Sequence, residues 1–130
     1  MRCWQIVIMV LGFKKQFLDK ILNGTKIHTI REDKNRRWQK GVKIQFATGV
    51  RTKSYKQFKE SVCKWSQAVE LYFESREIYL GLNGQMHLLD KKHNEMFAKN
   101  DGFDSEDEFW KWFNKPFHGV VIHWTDFIYS

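Results

Sequence analysis

The rhythm of apolar and polar positions changes several times along this chain, and each change marks an element. Residues 3–11, Cys-Trp-Gln-Ile-Val-Ile-Met-Val-Leu, are a β-branched apolar run bounded by Gly12 and predict a buried strand. From 13 to 23 the period lengthens. Phe13, Phe17, Leu18, Ile21 and Leu22 recur at helical spacing, while Lys14, Lys15, Asp19 and Lys20 take the wet side. Asn23-Gly24 ends that helix, because glycine enters the left-handed region without a Cβ penalty. Residues 24–40 are polar and basic and predict a long functional loop, with Trp38 near its end.

Alternation returns at 42–48, Val-Lys-Ile-Gln-Phe-Ala-Thr, the period of a half-buried strand. Ser66–Phe73 and Glu77–Leu82 predict two more, and Asn83-Gly84 predicts a tight turn into a returning strand at Gln85–Leu89. Asp90–Asn100 predicts a short helix stopped at Asn100-Asp101-Gly102. Ser105-Glu106-Asp107-Glu108 is a capping box that opens a helix running to Asn114. Residues 117–128 close the chain as a strand, with Val120, Ile122 and Trp124 on one face. Six strands and three helices are too few helices to cover both faces of a parallel sheet, so the pattern predicts an α+β fold on a curled, mostly antiparallel sheet.

Composition narrows the function. The 130 residues suit one domain, 1–130, and 21 aromatics (16%) suffice for a compact core. The single proline and the lack of repeats argue against linkers and disorder. The first apolar run is too short to span a bilayer and has no small-residue cleavage site, so no membrane segment or export signal is expected. Cys3 and Cys63 share no metal-ligand spacing and are read as free thiols of a cytoplasmic protein. His87, His93, His118 and His123 lack paired-ligand spacing, and there is no phosphate-loop or dinucleotide fingerprint. No metal or cofactor is therefore expected.

Charge is segregated. Residues 1–60 carry 15 Lys and Arg against 4 Asp and Glu, whereas 61–130 carry 7 against 11. A positive first half suits a polyanion. Between Lys34 and Lys59 the cations, including Arg36, Arg37 and Lys53, are interleaved with Trp38, Tyr55 and Phe58, a mixture that fits single-stranded nucleic acid. The alternative is that Trp38 and Phe58 plug the interior while the cations face water.

The candidate site is Gly24-Thr25-Lys26-Ile27-His28-Thr29-Ile30-Arg31, which resembles the G-x-K-x-x-T-x-R signature of the ASCH (activating signal cointegrator homology) domains. Ala98-Lys99-Asn100-Asp101-Gly102-Phe103, the aromatic-rich helix after it, and Val121-Ile122-His123-Trp124 are similar to small bacterial and phage members. The resemblance implies a PUA-like (pseudouridine-synthase-and-archaeosine-transglycosylase-like) β-barrel with flanking helices and a cleft holding the signature. It also implies RNA or nucleoside binding. One branch of the family is an acetylcytidine amidohydrolase, and another has been described as a ribonuclease. In the amidohydrolase branch the signature lysine and threonine work with a later glutamate. Carried over, these fall on Lys26, Thr29 and Asp101, the last one methylene shorter than the glutamate it replaces.

The chemistry of these residues leaves two readings open. As a hydrolase, Thr29 attacks only if a base takes its proton, and Lys26 serves if burial or the neighbouring cations lower its pKa. Asp101 would instead hold that lysine charged. As a binding site, Lys26 and Arg31 contact phosphate, Thr29 a base edge, and His28 stacks or hydrogen-bonds. A plain alternative is that Thr29 and Ile30 begin a strand beside solvated cations. In a straight strand Lys26 and Thr29 face opposite sides, so the site requires a bend between them. The expected protein is thus a monomeric binder of RNA or a modified nucleoside. An enzyme using the same cleft is the runner-up, and a module for an acidic protein partner comes third.

Overall fold

The computed structural model describes residues 7–129. In chain order it places β1 Ile8–Phe13, α1 Leu18–Leu22, β2 His28–Arg31, β3 Lys43–Thr48, β4 Lys56–Val62, β5 Trp65–Tyr72, β6 Glu77–Leu82, β7 Gln85–Leu88, α2 Asn94–Asn100, α3 Glu106–Trp112 and β8 Phe117–His123. The strands form two sheets, ordered β1-β3-β4 and β2-β8-β5-β6-β7. The α+β class is as expected. Every pairing is antiparallel except β1 with β3. Among the described strands no pairing joins the two sheets into a ring.

Several expectations shift. The first strand runs on through Gly12 to Phe13, since both residues keep parallel partners on β3, Ala47 and Thr48. Cys3, Trp4 and the rest of its expected start lie outside the described residues. The helix expected over 13–23 shrinks to a 3-10 turn at Lys15–Phe17 and the five residues of α1. The loop expected over 24–40 contains β2, because β8 offers it a register from His28 opposite His123 to Arg31 opposite Val120. Strand β4 was not foreseen. Five of its seven residues are polar and it lies at a sheet edge, so it carries no alternation to read.

Other signals hold. Asn83 and Gly84 both have positive φ, 52° and 77°, as the turn between β6 and β7 demands. The Ser105 hydroxyl accepts from the Glu108 amide at 3.2 Å, capping α3, while the Glu108 carboxylate takes Lys111 rather than reaching back. The 117–128 strand stops at His123. It lies between β2 and β5, and at its end Val121, Ile122 and His123 are buried in succession, so both faces are covered there.

Strand pairing and helix packing set the site. Gly119 on β8 faces the Arg31 carbonyl so closely that a Cβ there would fall 2.3 Å from that oxygen. Helices α2 and α3 close over the interior through Phe97, Phe109 and Trp110, each fully buried. The turn between them carries Asp101 and Gly102 toward the start of β2, where the Ile27 amide donates to the Asn100 carbonyl at 2.8 Å.

Candidate functional site

The signature lies at a seam. Gly24, at φ 83°, turns the chain out of α1, and the Lys26 amide then donates to the Lys20 carbonyl at 2.9 Å. The strand begins only at His28, so residues 26 and 27 lie before it. Lys26 and Thr29 consequently border one cleft, as the required bend implies, and Arg31 and Asp101 border it too. The cleft has a volume of about 270 Å³. Its walls are Phe13, Phe17, Phe103, Trp112 and Phe113, and Lys14 stands at its edge.

Asp101 organises the polar floor. Lys26 Nζ donates to the Asp101 backbone carbonyl and lies 3.5 Å from its Oδ1. His28 Nδ1 meets the same Oδ1 at 3.0 Å, and His28 Nε2 meets the Tyr129 hydroxyl at 2.7 Å. Asn100 Nδ2 donates to that hydroxyl oxygen at 2.9 Å. The directions follow from the ends. Asn100 can only give its N–H, so Tyr129 gives its O–H to Nε2, and His28 gives Nδ1–H to the carboxylate. His28 is thus assigned, from this network, the neutral Nδ1–H tautomer. Burial keeps it neutral by lowering its pKa, against the opposing pull of Asp101.

Lys26 is 3% exposed. Burial is the main cause that brings its pKa down to about 8, with Asp101 opposing and the Arg31 charge adding to the drop. Its ammonium lies 5.0 Å from the Phe17 ring centroid and 5.7 Å from that of Phe13. Gly102, at φ 94°, makes room for its stem, since a Cβ there would come within 2.7 Å of Lys26 Cδ. Arg31 reaches back across the strand: Nη1 donates to Thr29 Oγ1 at 2.8 Å and Nη2 to the Gly12 carbonyl at 2.8 Å. Because Thr29 accepts there, its own hydrogen is left to give.

The structure separates the other candidates from this group. His28 is fully buried and supports Asp101 from behind, so it neither stacks on nor reaches a ligand. Trp38 is 5% exposed and belongs to the core, where no base can stack on it. Arg36, Arg37 and Lys53 are exposed, and Tyr55 is 46% exposed; all four lie outside the residues that border the cleft. Asp33 fixes the loop that carries two of them. Its carboxylate accepts from the Arg37 amide at 2.7 Å and the Trp38 amide at 3.0 Å.

Three features were missed in the sequence. Nothing in the sequence marks five aromatics as the wall of one cleft, of which Trp112 is the most exposed at 43%. Tyr129 and Asn100 had no local signal, since the His28–Tyr129 contact spans 101 positions. Gly102 was read only as a helix stop. Among the described residues no group of three His, Cys, Asp or Glu is placed to hold a metal ion. Among those residues, too, no helix is long and apolar enough to cross a membrane.

No family model, no curated protein and no solved structure matches this chain. The geometry must therefore carry the functional reading.

Proposed function

We propose that the chain is an ASCH-like domain that binds RNA, or a nucleoside derived from it, with one base held in the cleft of Lys26, Thr29, Arg31 and Asp101. The observation that supports this is the meeting of two cations, a hydroxyl and a carboxylate on the floor of an aromatic-walled cleft of about 270 Å³. A cavity of roughly 150 Å³ holds benzene, so this one has room for a single nucleobase and not for a stacked pair. Trp112, 43% exposed, borders the cleft and would stack on that base, as in single-strand recognition. The basic surface carrying Arg36, Arg37 and Lys53 would neutralise phosphates outside the cleft. On this reading the two sheets are an opened form of the PUA-like barrel, and the protein works as a monomer in the cytoplasm.

Titrating a labelled single-stranded RNA at several salt concentrations tests the reading. Affinity should fall steeply with salt, with a slope of about −0.7 per phosphate neutralised. Arg31→Ala should weaken binding at every salt concentration. Binding that ignores salt and Arg31 would remove the proposal.

One observation favours a second reading. Lys26, at a pKa of about 8, keeps a useful neutral fraction near pH 7.5, and Arg31 already holds the Thr29 hydroxyl oxygen. An acetylcytidine-type amidohydrolase would use Lys26 to take the Thr29 proton as the hydroxyl oxygen attacks the acetyl carbonyl. Arg31 would then donate to the oxyanion, Lys26 would pass its proton to the cytosine amine as the C–N bond breaks, and water would hydrolyse the acetyl-threonine to acetate. Asp101, braced by His28, would position Lys26 despite its shorter side chain. Release of acetate from acetylcytidine, lost in Lys26→Ala and Thr29→Ala, would establish it.

A further inference from the structure

We propose that Lys26 is an imine-forming residue, able to capture a small aromatic aldehyde through its side-chain nitrogen within the aromatic-walled cleft. This rests on the cleft being a ligand site, not on the ligand being RNA.

Four observations support it. Lys26 is almost wholly buried yet borders the cleft, so its side chain is withdrawn from bulk water beside the space a guest would fill. Phe13 and Phe17 lie beneath the amine, and Phe103, Trp112 and Phe113 also line the cleft, which suits a flat ring carrying the carbonyl. Gly102 lets the lysine stem pack against the turn where any side chain would collide with it, which fixes the course of the stem. Arg31 and Thr29 border the same cleft and carry N–H and O–H donors for the oxygen that leaves the carbonyl.

The step balances without any co-reactant. The neutral amine attacks the carbonyl carbon and forms the C–N bond as the π electrons move to oxygen. A proton passes from nitrogen to that oxygen, giving a carbinolamine. Loss of water, assisted by the Arg31 and Thr29 donors, breaks the C–O bond and leaves the imine. Hydrolysis reverses each step, so capture is reversible unless the imine is reduced. With a pKa of about 8 against 10.5 for an ordinary lysine, Lys26 carries roughly 300 times more neutral amine at pH 7.

The test uses the whole wild-type chain, benzaldehyde as probe, and cyanoborohydride to fix any imine as a secondary amine at pH 7. Digestion and mass spectrometry then give the labelling rate at each lysine. Lys26 should react at least tenfold faster than the median exposed lysine, and that advantage should vanish in concentrated urea. Lys26 labelled no faster than the exposed lysines of the folded protein overturns the inference. An advantage that persists in urea overturns it too, because the fold would not be its source. With cyclohexanecarboxaldehyde, which lacks the flat ring, the advantage of Lys26 over the exposed lysines should shrink; an equal advantage would overturn the assignment to aromatic aldehydes. RNA titration of the same preparation keeps the two proposals apart. Binding without Lys26 labelling removes only the imine, and labelling without binding removes only the RNA reading.

Discussion

Replacing Lys26 by methionine removes a buried charge and keeps most of the stem, so it isolates what desolvation of that amine does to stability. The folded pKa of about 8 lies below the unfolded value near 10.5. Between those values the unfolded chain binds more protons at this position than the folded one, so stability rises with pH across that window. The penalty is complete below pH 8 and is relieved as pH approaches 10.5. Its size follows from the separation of the two values, about 3 kcal/mol at 1.4 kcal/mol per tenfold change. Other groups titrate in the same range, but they are common to both proteins and cancel in the difference. Urea unfolding of wild type and Lys26→Met at pH 7 and at pH 10 gives that difference directly. The wild type should gain about 2–3 kcal/mol on the variant over this range. A constant difference, within about half a kcal/mol, would show that the amine is not desolvated as described.

Gly102→Ala places a methyl against the lysine stem at a positive φ, and should cost about 1–3 kcal/mol in urea unfolding while weakening ligand binding at the cleft. Gly119→Ala drives its Cβ into the Arg31 carbonyl and should separate β2 from β8, read as lost amide protection at Ile30 and Val121 in hydrogen exchange. Tyr129→Phe removes the hydroxyl that donates to His28 Nε2. Nitrogen-15 NMR should show the Nδ1–H tautomer in wild type; a wild-type Nε2–H tautomer would break the assigned relay. The variant should lose about 1–3 kcal/mol for the unpaired buried nitrogen.

The elements that were legible before any coordinates share a local cause. Asn83-Gly84, Gly24 and the Ser105 cap act within one turn of chain, and each behaves as its chemistry dictates. Strand β2 was legible only as an alternative, a strand begun at Thr29 and Ile30, because the basic stretch around it reads as loop and only the distant β8 gives it a ladder. In the same way, β4 is an edge whose polar side chains are free to face water. The site divides along this line. Lys26, Thr29 and Arg31 could be named from their types and spacing, Asp101 only from the resemblance to ASCH domains, and all four border one cleft. His28 could be named but not placed: its burial behind Asp101 depends on Tyr129 and Asn100, which no local pattern connects to it. Trp38 could be read both as a partner for a base and as a plug for the interior, and the core claimed it.

The most direct test of the central claim is an NMR titration of the isotope-labelled protein with a short single-stranded RNA, and separately with cytidine. Shifts should concentrate at Lys26, Thr29, Arg31, Asp101 and Trp112, and Arg31→Ala should remove them. Saturable shifts centred away from that cleft, or none at either ligand's millimolar concentration, would contradict it.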